Sequence, residues 1–305
     1  MTPEDTKSDR RPRVSIGLPV YNGERYVAEA IDAILAQTFA DFELIICDNA
    51  SQDRTEEICR AYPGRDARVR YHRAEKNLGA AANYRWAFEL ARGEYFKWAT
   101  YDDLCGPEYV ARCVSVLDRD PSVILAYCKT RLIDEYGQVI SEYEDNLNLR
   151  DRRPSERFIQ FMQKFKLSNP MYGVLRAPAL RKTRLLGSYI GGDIPLLAEL
   201  TLQGTFCEIP EFHFYRRFHP QASSSYTSST QLLHFYDPQK KEHVALTRWR
   251  HAFEHFRSVV RAPIQLREKT RLLGFLTWVM VWNRVKLLSE LSAAVRHKIR
   301  RFSGT

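Results

Sequence analysis

The sequence predicts an α/β fold in which one mostly parallel sheet is flanked by helices and followed by a helical C-terminal extension. Three observations carry that expectation. Continuous apolar or aromatic runs of strand length recur, VSIGLP (14–19), FELIIC (42–47) and YFKW (95–98), as strands covered on both faces require. Helical patterns separate them in units of about 30 residues, which implies right-handed crossovers between parallel strands. Two runs lead into acid, Asp48 and the adjacent pair Asp102 and Asp103, at the strand ends where such sheets gather ligands.

Taken in order, VSIGLP is the first strand and VYNG (20–23) the turn that leaves it. Glu29, Ala30, Ile31, Ala33, Ile34 and Leu35 give a helix to about Gln37, and FELIIC follows as the second strand. Asp53 with Glu56 three residues on is a capping-box pattern for a helix to about Tyr62, and Val69 to His72 is a short third strand. An Ala-rich helix after Gly79 carries Trp86, Ala87 and Leu90 on one side, with Gly93 as its C-terminal cap. The fourth strand is the YFKW run. A helix from Pro107 to Asp120 and a strand from Val123 to Lys129 come next, then a polar loop from Ser141 to Arg153. Ser155 to Lys166 is helical with its aromatics in the core, Met171 to Arg176 a strand, and Ala179 to Leu186 a short helix. Asp193 follows two glycines and precedes an apolar helix with Pro195 in its first turn, the place of an N-cap. The last strand lies within Cys207 to Arg217. The Ser-rich run after it reads as a mobile loop or a flap over a substrate.

Composition excludes several classes. With 44% hydrophobic and 27% charged residues the chain has an ordinary globular profile. The longest apolar stretch, Leu272 to Trp282, is broken by Gly274 and Thr277 and falls short of the ~20 residues of a membrane span. Residues 1–12 are polar, without the apolar core of a secretion signal, so they are expected to form a flexible tail on a cytoplasmic protein. Six cysteines without CxxC spacing are expected to be reduced core thiols. His251 and His255, four apart on a helix, lack the HExxH order of a metal pair.

Asp102 and Asp103 admit two readings. Either one caps the helix opened by Pro107 and Glu108, or they hold a hard cation such as Mg²⁺ or Mn²⁺ that in turn holds phosphate. No GxGxxG follows the first strand and no Walker loop is present, which leaves phosphates to a metal and favours the second reading.

VSIGLPVYNGERYVAEAI, QTFADFELIICDNASQDRT, NLGAAANYRWAFELARGEYF and YDD, in that order and spacing, resemble the inverting family-2 glycosyltransferases of GT-A fold, a single Rossmann-like sheet. The resemblance spans about Arg13 to His219. It implies a catalytic domain over 13–230, with a nucleotide-sugar half at 13–105 and an acceptor half at 106–230, and a helical basic extension at 231–305. It implies a nucleotide-diphospho-sugar donor, Mn²⁺ or Mg²⁺, and transfer with inversion to a hydroxyl of a glycan or lipid-linked acceptor. Pro19, Tyr21 and Asp48 match the positions that hold the base and ribose, Asn83 the helix position beside them, and Thr100, Tyr101 and Asp102 the DxD motif, with Thr100 where the first acid stands. Asp102 matches the metal ligand, Asp193 the catalytic base, and His219 resembles the histidine that completes the metal or diphosphate site. Arg216 and Arg217 lie close enough in sequence to assist. A sugar nucleotidyltransferase would carry a Gly-rich, Arg-bearing loop after the first strand, which PVYNGE is not. The alternative from another class is an inactive GT-A-like module that binds nucleotide or glycan at a membrane.

From Pro263 onward nine Lys or Arg stand against two Glu, which concentrates most of the chain's net charge of +9 in this end. Phe275, Trp278 and Trp282 among those cations describe a helix lying on an anionic membrane, or one packed on the catalytic domain or a second subunit. Membrane docking fits cell-surface polysaccharide or glycolipid assembly. No nucleic-acid-binding motif accompanies the charge.

Overall fold

The computed structural model describes residues 11–239 and 245–302, so the expected tail at 1–12 lies outside it except for its last two residues. Strands β1 (Val14–Val20), β2 (Phe42–Asp48), β3 (Val69–Arg73) and β4 (Tyr95–Trp98) run parallel in the order β3-β2-β1-β4. Beyond β4 the sheet continues through β8 (Val174–Arg176), which is antiparallel, to β6 (Val123–Ile133) and β9 (Thr205–Arg217), which pair parallel. The short β5 (Leu104–Cys105) closes the β9 edge, and β7 (Val139–Tyr143) forms a hairpin with β6.

Crossover helices α1 (Val27–Leu35), α2 (Thr55–Arg60) and α3 (Ala80–Glu89) connect the first four strands. α4 (Tyr109–Arg119) leads to β6, and α5 (Pro154–Lys164), α6 (Ala177–Arg181) and α7 (Asp193–Thr201) occupy the second half. The chain then forms α8 (Ser229–Tyr236), α9 (Thr247–Arg261), α10 (Leu266–Trp282) and α11 (Arg284–Phe302).

The period of two along β4 shows how the core is divided. Tyr95 joins Ile16, Ile31, Leu44 and Val114 in one cluster, while Phe96 and Trp98 join Phe158, Phe161, Leu197 and Phe206 in the other. Lys97, 1% exposed, is the charged exception. Its ammonium donates to the carbonyl oxygens of Trp98 and Tyr172 and lies 4.6 Å from the centre of the Tyr109 ring, which compensates the buried charge and ties β4 to the turn at 169–172.

Several local expectations are corrected. Asp53 and Glu56 do not form a capping box: Asp53 precedes the cap residue Arg54 and accepts from the Thr55 and Glu24 backbone N–H groups, while Glu56 binds Arg60 and Arg73. Gly93 is not the cap of α3, which ends at Glu89. A Cβ there would lie 2.7 Å from the Ser15 backbone nitrogen, so the glycine answers a close approach to β1. Neither Asp102 nor Asp103 caps α4, which begins at Tyr109 behind Glu108. The loop expected from Ser141 begins as part of β7, an exposed polar strand whose alternation no covered face enforces. The Ser-rich run is not wholly a loop. Its end caps α8 through a reciprocal Ser228–Gln231 capping box. All six cysteines are free, four of them buried.

Candidate active site

The loops leaving β1 and β2 are built as a locked pair. Two residues past each strand the backbone turns left-handed, at Asn22 (φ 50°) and Ala50 (φ 61°). Asn tolerates that conformation, whereas Ala50 costs roughly 1–2 kcal/mol there. The loops compensate by holding one another. The Asn22 backbone N–H donates to Ser51 Oγ at 3.0 Å, and the Gln52 N–H donates to Asn22 Oδ1 at 2.8 Å. This sets Pro19, Val20, Tyr21 and Asn49 along one wall of a cavity of about 330 Å³.

The start of α3 supplies the second wall, with Asn77, Ala80, Asn83 and Tyr84, and the end of β4 supplies the floor, Thr100 to Asp103. Arg216 and Arg217 arrive from the end of β9 with Tyr172 beside them. A cover lies across the mouth, formed by Gln221, Ala222, Ser223 and Tyr226 with Gln231, His234 and Phe235 of α8. Gly79, at φ 83°, lets α8 close down. A Cβ there would sit 2.4 Å from the Tyr236 carbonyl oxygen.

The two acids on the floor have separate partners. Asp102 Oδ2 stands 3.0 Å from His219 Nε2, and that hydrogen bond raises the His219 pKa above its ordinary value. Asp103 is turned inward. Its Oδ2 accepts from the Thr100 hydroxyl at 2.6 Å and its Oδ1 from the Arg217 N–H at 2.8 Å. Burial, and after it the charge of Asp102, push the Asp103 pKa up to about 7. Thr100 therefore spends its hydroxyl on Asp103.

Asn83, 3% exposed, donates through Nδ2 to the Cys47 carbonyl oxygen at 2.9 Å, while its Oδ1 is buried without a partner among the described residues. An unpaired buried acceptor in a cavity wall is a costly feature that a ligand N–H would satisfy. Asp48 behaves differently. It is fully buried behind the wall, accepting from the Ser51 N–H and the Tyr71 hydroxyl at 2.8 Å each. Its neighbour Asn49 reaches the cavity in its place.

Adjacent along β9, the two arginines are in opposite situations. Arg217, 3% exposed, pairs with Glu29 Oε2 at 2.7 Å, donates to the Asp102 carbonyl oxygen and lies 4.7 Å from the Tyr26 ring centre. It is structural. Arg216 forms no ion pair with the described residues and makes one side-chain hydrogen bond, to the neutral amide of Asn169.

Asp193 is the first helical residue of α7, with Gly192 in the cap position and no side-chain cap bond, so the N-cap reading is corrected. It lies outside the residues lining the cavity. The Ser168 hydroxyl donates to its Oδ2, and the half-buried Tyr172, in the cavity wall, feels the charges of both Asp103 and Asp193. His219 is likewise behind the floor rather than in its surface, joined to it through Asp102. Of the residues singled out in the sequence, the fold thus gathers Pro19, Tyr21, Asn83, Thr100, Tyr101 and Asp102 around one cavity. A larger cavity of about 690 Å³ between α7, α8 and α9 contains none of them.

Among the described residues no group of three or more His, Cys, Asp or Glu side chains converges as a metal cage. Asp102 offers the cavity one carboxylate, with the His219 imidazole on its Oδ2 from behind, a donor set that would leave the remaining positions of a Mg²⁺ or Mn²⁺ ion to donor phosphates and water.

Comparison with known proteins bears on the family and the fold. The model of the Glycosyl transferase family 2 matches residues 15–182. An uncharacterized glycosyltransferase of Rickettsia typhi is 38% identical over 125 residues, covering 41% of this chain and 38% of that protein. Among solved structures, S. aureus TarS 1-349 in complex with UDP-GlcNAc aligns with a TM-score of 0.65 and 14% identity over 93% of this chain and 81% of that one. The mannosyltransferase PcManGT from Pyrobaculum calidifontis, in complex with GDP-Man and Mn²⁺, aligns at 0.54 and 17% over 94% and 76%. At those identities the likeness shows the fold, GT-A.

Proposed function

The chain belongs to glycosyl transferase family 2, and from that premise we propose that it moves a sugar from a nucleoside-diphosphate donor to an acceptor hydroxyl with inversion. One observation carries the reading. A single cavity at the carboxyl ends of β1, β2 and β4 brings together Arg216, a cation without an ion-pair partner among the described residues, Asp102 at its floor with His219 behind, and the unpaired amide oxygen of Asn83. The nucleobase lies along Pro19 and Tyr21, with a base N–H on Asn83 Oδ1. Arg216 meets the diphosphate.

In the reaction the acceptor oxygen forms a bond to the anomeric carbon as the bond from that carbon to the phosphate oxygen breaks. Asp193 takes the acceptor's proton, and the nucleoside diphosphate leaves with the bonding pair. Arg216 stabilises the charge gathering on it. Asp102 and His219 would hold the Mn²⁺ or Mg²⁺, which when bound supplies further positive charge at the leaving group.

Thermal unfolding against UDP, GDP and the other nucleoside diphosphates, with and without Mn²⁺, tests the donor site. At about 100 times Kd a bound nucleotide adds about 2.7 kcal/mol, a rise in Tm of roughly 4 °C for a chain of this size. One base is expected to dominate and to require Mn²⁺. No rise with any of them overturns the reading.

We further propose that the C-terminal helices seat the enzyme on the inner face of an anionic membrane, where a lipid-linked acceptor of polysaccharide or glycolipid assembly would be presented. Trp278, Val281, Trp282, Val285 and Leu288 form an exposed apolar strip across the bend between α10 and α11. The Phe275, Trp278 and Trp282 rings stack, and Arg284 and Lys286 flank the bend. Arg267 and Arg271 continue the tryptophan stripe along α10, a pattern of cations beside apolar aromatics. No described helix is long and apolar enough to cross a membrane. Replacing Trp278 and Trp282 with Ser is expected to weaken co-sedimentation with phosphatidylglycerol-containing vesicles about 100-fold, given ~1.5–3 kcal/mol per large apolar side chain. A lipid-free dimer dissolved by the same change would assign the strip to a second copy instead.

A further inference from the structure

Arg216 is held in the cavity wall without an ion-pair partner among the described residues, although Asp103 and Asp145 are near enough to feel its charge. Its Nη1 donates to Asn169 Oδ1 at 2.8 Å. Asn169 opens the turn at 169–172 and is 1% exposed, and its Nδ2 donates to Asp145 at 3.1 Å and 3.3 Å to the two carboxylate oxygens. Asp145 is 5% exposed and stands at the end of the β6–β7 hairpin, before the left-handed Asn146. Three segments distant in sequence therefore form one chain of hydrogen bonds, from a buried carboxylate through a neutral amide to a guanidinium facing the cavity.

The neutral link matters. A carboxylate at position 169 would pair with Arg216 directly and cancel the charge that an incoming anion needs. An amide fixes the guanidinium without forming an ion pair, while Asp145 behind it, whose pKa burial pushes up to about 7, accepts from the amide N–H₂ and so orients its oxygen toward Arg216. We propose that Asn169, backed by Asp145, is the positioning residue that aims Arg216 at the diphosphate of the donor. The inference rests on the donor-site reading above and assigns roles to two residues that do not line the cavity.

The test compares binding of UDP and GDP with binding of uridine and guanosine, in Mn²⁺, by calorimetry on the full chain. Arg216→Ala is expected to weaken the bound diphosphate roughly 10–100-fold, the range for a hydrogen bond to a charged group. Asn169→Ala is expected to weaken it about 10-fold and Asp145→Asn by a few-fold, with nucleoside binding unchanged by either. The double variant Asn169→Ala with Arg216→Ala is expected to be no weaker than Arg216→Ala alone, because Asn169 acts through Arg216. Asp145→Asn preserves volume and shape, so it reports on the relay if Asn169→Ala does not fold. Diphosphate affinity unaffected by Asn169→Ala, equal loss for nucleoside and diphosphate, or additive losses in the double variant each overturn the relay alone. A wild-type protein that binds neither UDP nor GDP overturns the donor site and the relay with it.

Discussion

Asp193→Asn is expected to lower kcat by roughly 10²–10⁴-fold while nucleoside diphosphate affinity stays within about twofold. Its carboxylate sits beside the cavity wall with one oxygen left without a hydrogen bond from the described residues. α7 does not use it as a cap, Ser168 occupies one oxygen, and Oδ1 takes no hydrogen bond from the described residues. Asn keeps the size and can still accept from Ser168, so the fold is preserved and the missing function is basicity. Steady-state kinetics with the donor identified by thermal shift, alongside calorimetry of the product diphosphate, separates the two effects. If kcat is unchanged, Asp193 has no part in the chemistry, and the proton goes elsewhere.

The first half of this fold was legible in the sequence because its signals are local. β1, β2 and β4 are continuous apolar runs, buried along their whole length, and such runs need no partner to be recognised. The acids after β4 fall where parallel sheets gather ligands, and the structure puts them at the cavity floor. What periodicity could not tell was which way an acid points. Asp48 and Asp102 both look like strand-end ligands, yet Asp48 is consumed by Tyr71 and Ser51 while Asp102 stays at the cavity.

The second half was less legible because its signals are contacts between distant segments. Asn169 and Asp145 sit in stretches read as the approach to a strand and as a polar loop, and nothing near them in sequence announces Arg216 as their partner. α8 was hidden differently. The run SSSYTSST has loop composition, but its Ser228 and Gln231 carry the S-x-x-Q spacing of a capping box, a signal that marks the helix once the composition is set aside. Arg217 shows the limit from the other side. Expected from its place in the sequence to assist at the site, it is buried on Tyr26 and pinned to Glu29, a role that the meeting of β9 with α1 creates.

Asp102→Asn is expected to cost transfer roughly 10²–10³-fold, the scale found when one electrostatic contact to a developing charge is removed. The effect differs in kind from that at Asp193. Asn at 102 can keep the hydrogen bond to His219, and the backbone carbonyl that Arg217 donates to is untouched, so the Tm without nucleotide stays near that of the wild type. What disappears is the negative charge that a divalent cation needs beside an imidazole. The Mn²⁺-dependent part of the nucleotide-induced rise in Tm is therefore expected to vanish, while the part that nucleotide produces without metal, through Asn83 and Arg216, remains. Mn²⁺ titration followed by electron paramagnetic resonance in the presence of the diphosphate reads the same loss without turnover. If the variant still binds Mn²⁺ as tightly as the wild type, the cation is held by the phosphates alone, and the Asp102–His219 pair serves to shape the floor of the cavity.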